Sequence, residues 1–232
     1  MTPRTRRLAI AAGIALGLLA ACAAKPPQPD WQSNASDALQ RSQSAYLSGE
    51  ARVEAQEFAK ARSEVARTGR ADLVARVELA RCASRVASLV LEACPGFDAL
   101  RADAALPEQA YADYLAGSLS TGRVAALPEQ HRATAAALGT GRVDAAMVQA
   151  IADPLARLVA SGGVFRAGQA SPALIASAVA TASAQGWRRP LLAWLNVQAD
   201  VARQGGDTAT EATARRRIAL VQGAEPRPAS RP

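Results

Sequence analysis

From Trp31 to Gln222 the chain is a succession of runs rich in alanine, leucine, glutamine, glutamate and arginine, each cut by glycine. All five residue types are strong helix formers. No stretch alternates with period two and β-branched enrichment, so strands are not expected. Most of the glycine breaks lie where helices end in a left-handed residue: Ser48-Gly49, Thr68-Gly69, Pro95-Gly96, Gly117, Thr121-Gly122, Gly139 to Gly141, Gly168, Gly186, Gly205-Gly206 and Gly223. Gly162-Gly163 reads as a linker between helices. About eight helices of about ten to twenty residues follow. The expected class is all-α, with helical hairpins stacked as a short solenoid or an irregular bundle. Alanine supplies 58 of 232 residues, which implies close helix approach and large apolar side chains near average at best.

Leu174, Ile175, Ala178, Val179 and Ala182 form an apolar stripe at helical spacing, and Leu191, Trp194, Leu195, Gln198 and Val201 form another. Trp187 and Trp194 are two turns apart and read as core, with a ligand-stacking face as the alternative. Asp207 is placed to cap the last helix, with Glu211 in its first turns. Asp153-Pro154 either starts a helix or kinks one, and a new start is preferred. Ala-Leu-Pro-Glu-Gln occurs at 105–109 and at 126–130, and Thr-Gly-Arg begins at Thr68, Thr121 and Thr140. Neither holds a period, so both read as helix punctuation.

At the amino end Arg4, Arg6 and Arg7 precede an uncharged run from Leu8 to Ala21. It is shorter than the roughly 20 apolar residues that cross a bilayer, and it has the shape of a secretory signal peptide. The run closes on Leu19-Ala20-Ala21-Cys22, which resembles the lipobox of bacterial lipoproteins. That resemblance, over residues 1–22, implies a diacylated Cys22, cleavage before it and a further acyl group on the new terminus. Several acyl chains anchor stably where one does not. Ala23, in place of the aspartate that retains lipoproteins at the inner membrane, implies the periplasmic face of the outer membrane. Residues 22–30, with Pro26, Pro27 and Pro29, read as a semi-rigid tether. A helical domain at 31–222 and a disordered tail at 223–232 complete the expected organisation.

Tyr46, Gly49, Phe58 and Ala61 fall at spacings similar to those of the tetratricopeptide repeat. Arg41-Ser42 stands where that repeat has leucine-glycine, and Ala66 where it closes on proline. The resemblance therefore covers one degenerate hairpin near 38–67, with helices at 38–47 and 51–67. Stacks of this type bind proteins or peptides.

Loss of residues 1–21 lowers the net charge from +7 to +4. From Leu155 to Pro232 ten arginines face four acids, densest at Arg215, Arg216 and Arg217. This is either a solvated helix face or a contact for an anionic surface. Nucleic acid is not an expected partner, because the chain is exported and lacks interleaved aromatics. With Cys22 lipidated, Cys82 and Cys94 remain as a disulfide or as free buried thiols. On one straight helix they would lie about 18 Å apart, so a bridge needs the helix from Ala71 to end near Ser88 to Leu91.

A single histidine excludes any site that needs two. His131 reads as partly exposed and unremarkable. Glu54, Glu57, Glu64 and Glu78 sit where solvated faces are expected. No phosphate loop, metal cluster, cofactor motif or nucleophile elbow is present, so no catalytic, metal or cofactor residues are assigned. The expected function is a membrane-anchored, non-catalytic scaffold or accessory factor that binds an envelope protein. The alternatives are a carboxylate enzyme of cell-wall glycan and a lipid- or lipopolysaccharide-contacting protein. A deep cleft holding a desolvated glutamate would favour the enzyme, and a shallow apolar surface the scaffold.

Overall fold

Helix boundaries follow the chain's own punctuation. A computed structural model describes residues 29–223, so the expected signal peptide, Cys22, most of the tether and the tail after Gly223 lie outside it. Within the described residues there is no strand. Eleven α-helices and one 3-10 segment run in the order α1 (Asp30–Ser48), α2 (Ala51–Ala66), α3 (Ala71–Ala87), α4 (Pro95–Asp98), α5 (Leu106–Ala116), the 3-10 turn Thr121–Ala126, α6 (Glu129–Leu138), α7 (Ala145–Gln149), α8 (Pro154–Arg166), α9 (Pro172–Ala184), α10 (Arg188–Gln204) and α11 (Thr208–Gln222). Nine of these helices have ten residues or more; α4, α7 and the 3-10 turn are each too short to show a periodic stripe. No helix here is long and apolar enough to cross a membrane.

Side-chain caps set several starts. Asp153 accepts the Ala156 amide at 2.6 Å, Asp207 accepts that of Thr210 at 3.0 Å and Ser171 that of Leu174 at 3.2 Å. Asp153-Pro154 is therefore a new start. Gly49, left-handed at φ 95°, closes α1 and turns the chain into α2. Tyr46, Phe58 and Ala61 are buried on this hairpin.

The helices pack as an irregular bundle. α8 lies against α3, α5, α6, α7 and α9, and α10 returns to touch α1. In a solenoid each unit meets only its neighbours. The Gly162-Gly163 linker is corrected: both residues are buried inside α8. A Cβ on Gly162 would fall 2.9 Å from Val86 Cγ1 and closer still to the Val86 carbonyl oxygen, so the backbone of α8 sits directly on that of α3. Gly162 is there for close approach, a long-range requirement that local composition does not carry.

Trp194 is fully buried, edge-on to Phe165 at 5.8 Å, and its Nε1 donates to the Ala87 carbonyl at 3.1 Å. The tryptophan reading as core holds there, while Trp187 is half-buried against the same core. The α10 stripe differs from expectation: Ala199 and Ala202 complete the buried face, and Val201 is exposed. A smaller cluster, built around Phe58, Ala61, Val65, Val74 and Val77, joins α1, α2 and α3.

Cys82 and Cys94 lie at disulfide distance, their Cα atoms 6.1 Å apart. α3 ends at Ala87, as that geometry demands. Val90 donates to the Arg85 carbonyl and Leu89 to that of Val86, with Leu89 at φ 59°. This is a Schellman closure carrying leucine where glycine is usual.

Candidate functional site

The principal cleft, about 570 Å³, opens between α3, α5, α6 and the start of α8, with Gln43 of α1 at its edge. Both copies of Ala-Leu-Pro-Glu-Gln reach it, the first through Pro107 and Glu108 and the second through Ala126, Leu127, Pro128 and Gln130. The copies are used in different rotations. The first lies in α5 from Leu106 onward, leaving Leu106 exposed and Glu108 buried. The second starts α6 only at Glu129, so Leu127 is buried and Glu129 exposed. They are punctuation, as expected, but punctuation that builds opposite sides of one cleft.

Glu108 holds the most polar part of the wall. Arg76 Nε of α3 donates to its Oε1 at 2.6 Å, while Oε2 is shut from water and meets no donor. The Glu108 side chain is 8 % exposed and that of Arg76 58 %, so the carboxylate lies inside and the guanidinium reaches out. Asp153 lines the same cleft while it caps α8.

His131 is corrected from partly exposed to 2 % exposed. It packs between Tyr111, at 5.5 Å, and Tyr114, at 5.1 Å between ring centroids. Its Nδ1 has no partner. Burial pushes its pKa down to about 4, against a smaller upward pull from Asp153. The ring is therefore neutral at neutral pH. Burial drives the phenols of Tyr111 and Tyr114 upward, so they stay protonated. Tyr111 is half-buried by its surface but densely surrounded, which is why its phenol responds as an enclosed one.

Compared with models of protein families, with characterised proteins and with solved structures, the chain matches none.

The carboxylates picked out from sequence go elsewhere. Glu54 and Glu78 are buried, not solvated, and pair across helices with Arg81 at 2.7 Å and Arg62 at 2.8 Å. Arg81 also lies 4.3 Å over the Phe58 ring. Glu57 and Glu64 are half-buried and carry Arg41 and Arg67. Among the described residues no three His, Cys, Asp or Glu side chains converge to hold a metal ion.

Arg215, Arg216 and Arg217 follow one another on α11, so they fan around the helix by about 100° per residue. Arg215 is shared between Asp200 at 3.4 Å and Glu211 at 3.7 Å, and Arg216 donates to Thr213 at 3.0 Å.

Asp153 is legible in the sequence only as a cap, and Arg76, Glu108 and Tyr111 stand in no motif that singles them out as site residues. The repeated pentapeptide was the available signal, together with Tyr111 at helical spacing from Glu108.

Proposed function

We propose that the chain is a lipoprotein anchored to the outer membrane through Cys22, and that its helical domain is a non-catalytic module binding an envelope protein in the α3–α5–α6–α8 cleft. The lipobox-like Leu19-Ala20-Ala21-Cys22 supports the anchor. The observation that carries the binding role is the cleft itself, whose volume lies in the range of about 300–1,000 Å³ typical of ligand sites.

A cleft holding the buried Glu108 is the arrangement expected of the enzyme alternative; what turns the reading to binding is how its carboxylates are engaged. A glycosidase needs one carboxyl to deliver a proton and a second to act as base or nucleophile. Glu108 is ion-paired to Arg76 at 2.6 Å, and Asp153 is engaged with the first turn of α8. Contact with anionic lipid through α11 draws less support, because Arg215 already has acidic partners and its neighbours point in different directions.

Two measurements test this reading. Wild type should incorporate a fatty-acid label and sediment with outer membranes, and Cys22→Ser should do neither. A photo-crosslinking residue placed at Ala80, in the cleft, should trap one specific envelope protein that the same residue at exposed Val53 does not. Label-free wild type refutes the anchor. Equal products from both positions, or none, refute the cleft as the binding site.

A further inference from the structure

We infer that the cleft receives the free amino terminus of a peptide segment, with its ammonium seated on Glu108. The inference rests on the protein-binding reading above and names what part of a partner enters. It starts from an imbalance of donors and acceptors. Glu108 is 7 % exposed, so a molecule meets its carboxylate only by entering the cleft. One oxygen takes Arg76, and the other is buried without a donor, so an ammonium reaches it only as the carboxylate turns into the cleft. A buried acceptor left unmade is costly, and a charged donor compensates it best. The Asp153 carboxylate adds a second negative charge, close enough to act on both His131 and Tyr111.

Of the two arginines that line the cleft, Arg76 is already paired with Glu108. His131 is neutral, and its unpartnered Nδ1 can accept a proton-bearing donor. Arg76 and Arg132 are exposed at the mouth, and Arg132 Nε is already held by the Leu127 carbonyl at 2.8 Å. An anion drawn by these arginines would meet the buried Glu108 carboxylate further in. An ammonium, with three donors and no acceptor, fits acceptors that lack donors.

The rest of the cleft suits the chain behind an ammonium. Leu79, Leu155 and Val159 offer apolar contact for side chains. Gln43 and Gln130 can both give and accept hydrogen bonds, which is what peptide groups require. A sugar would find hydrogen-bonding groups too, but its many hydroxyls would face largely aliphatic walls.

The test uses the intact lipidated protein in detergent and isothermal calorimetry at neutral pH, up to millimolar ligand. The probes are Leu-Ala-Ala amide with a free amino terminus, its N-acetylated form, and di-N-acetylchitobiose. The free amine should bind saturably, and acetylation should weaken binding at least about tenfold. Ala80→Leu, which fills the cleft one turn from Arg76, should abolish binding. Glu108→Gln should match the loss on acetylation with an unchanged helical spectrum. Should Glu108→Gln fail to fold, acetylation and Ala80→Leu decide the matter. Equal binding of both peptides, binding of the disaccharide alone, or no saturable peptide binding overturns the inference. Amine binding without any cleft crosslink in cells would leave it standing and refute the protein partner. A crosslinked partner that enters through an internal segment would do the reverse.

Discussion

Gly162 and Gly163 are adjacent, both buried and both helical, yet they answer to different constraints. A methyl on Gly162 collides with Val86, whereas one on Gly163 meets nothing nearer than Tyr114 Oη at 3.8 Å. Gly162→Ala is expected to destabilise by about 1–3 kcal/mol through overpacking, while Gly163→Ala is neutral or stabilising by up to about 1 kcal/mol. Urea unfolding of the two variants checks this, and equal effects would refute the close approach of α8 and α3. His131 gives a second residue-level prediction. Its folded pKa, about 4, lies below the ordinary 6.5 of an unfolded histidine. Between these values the unfolded chain binds more protons, so stability is complete above pH 6.5 and falls as pH drops toward 4. The loss amounts to about 3 kcal/mol. Asp72 and Asp207 are also shifted downward, but from 3.8, so they act below this window. Melting temperatures of wild type should decline from pH 6.5 to 4, and those of His131→Phe should decline less. Neither the collision nor the burial of His131 is legible locally, because both depend on residues far away in the chain.

At the scale of elements, the turn after α3 is fastened twice. Leu89 closes the helix in a left-handed conformation, and the Cys82–Cys94 pair ties the following segment back to α3. Twelve positions separate the cysteines. For so short a loop, breaking the bridge is expected to cost about 3 kcal/mol. The midpoint of denaturant unfolding should fall on reduction and equally in Cys82→Ser/Cys94→Ser, and no change in either would show that the bridge does not stabilise the fold. Elements were the scale best read from sequence. The turn at Gly49 and the starts at Asp153 and Asp207 depend on residues within one turn of the boundary, while the end of α3 before Leu91 follows from the reach of the cysteine bridge. The α10 face was only half legible: alanine is compatible with either surface, so Ala199 and Ala202 announce no side, while Val201 points outward despite its hydrophobicity.

Across the whole molecule, α8 and Trp194 decide how the hairpins assemble. Trp194 joins α10 to the end of α3 through Ala87, 107 residues away in the chain, and to α8 through Phe165. Trp194→Ala should cost about 3–5 kcal/mol, a large part of the 5–15 kcal/mol usual for a domain. Hydrogen exchange should rise in α3, α8 and α10 together; an increase confined to α10 would refute its bridging role. What the sequence alone determined is local: an all-helical chain, several of its caps and the cysteine pair. Helix propensity, capping and loop length act between residues close in the chain. What tertiary structure decided is which polar residues are buried and where a cleft opens. Arg76 meets Glu108 across 32 positions and Arg81 meets Glu54 across 27. A glutamate on a helix becomes a solvated charge or a buried, arginine-bound wall of a cleft according to the helix packed against it, and that partner is fixed only when the chain has folded.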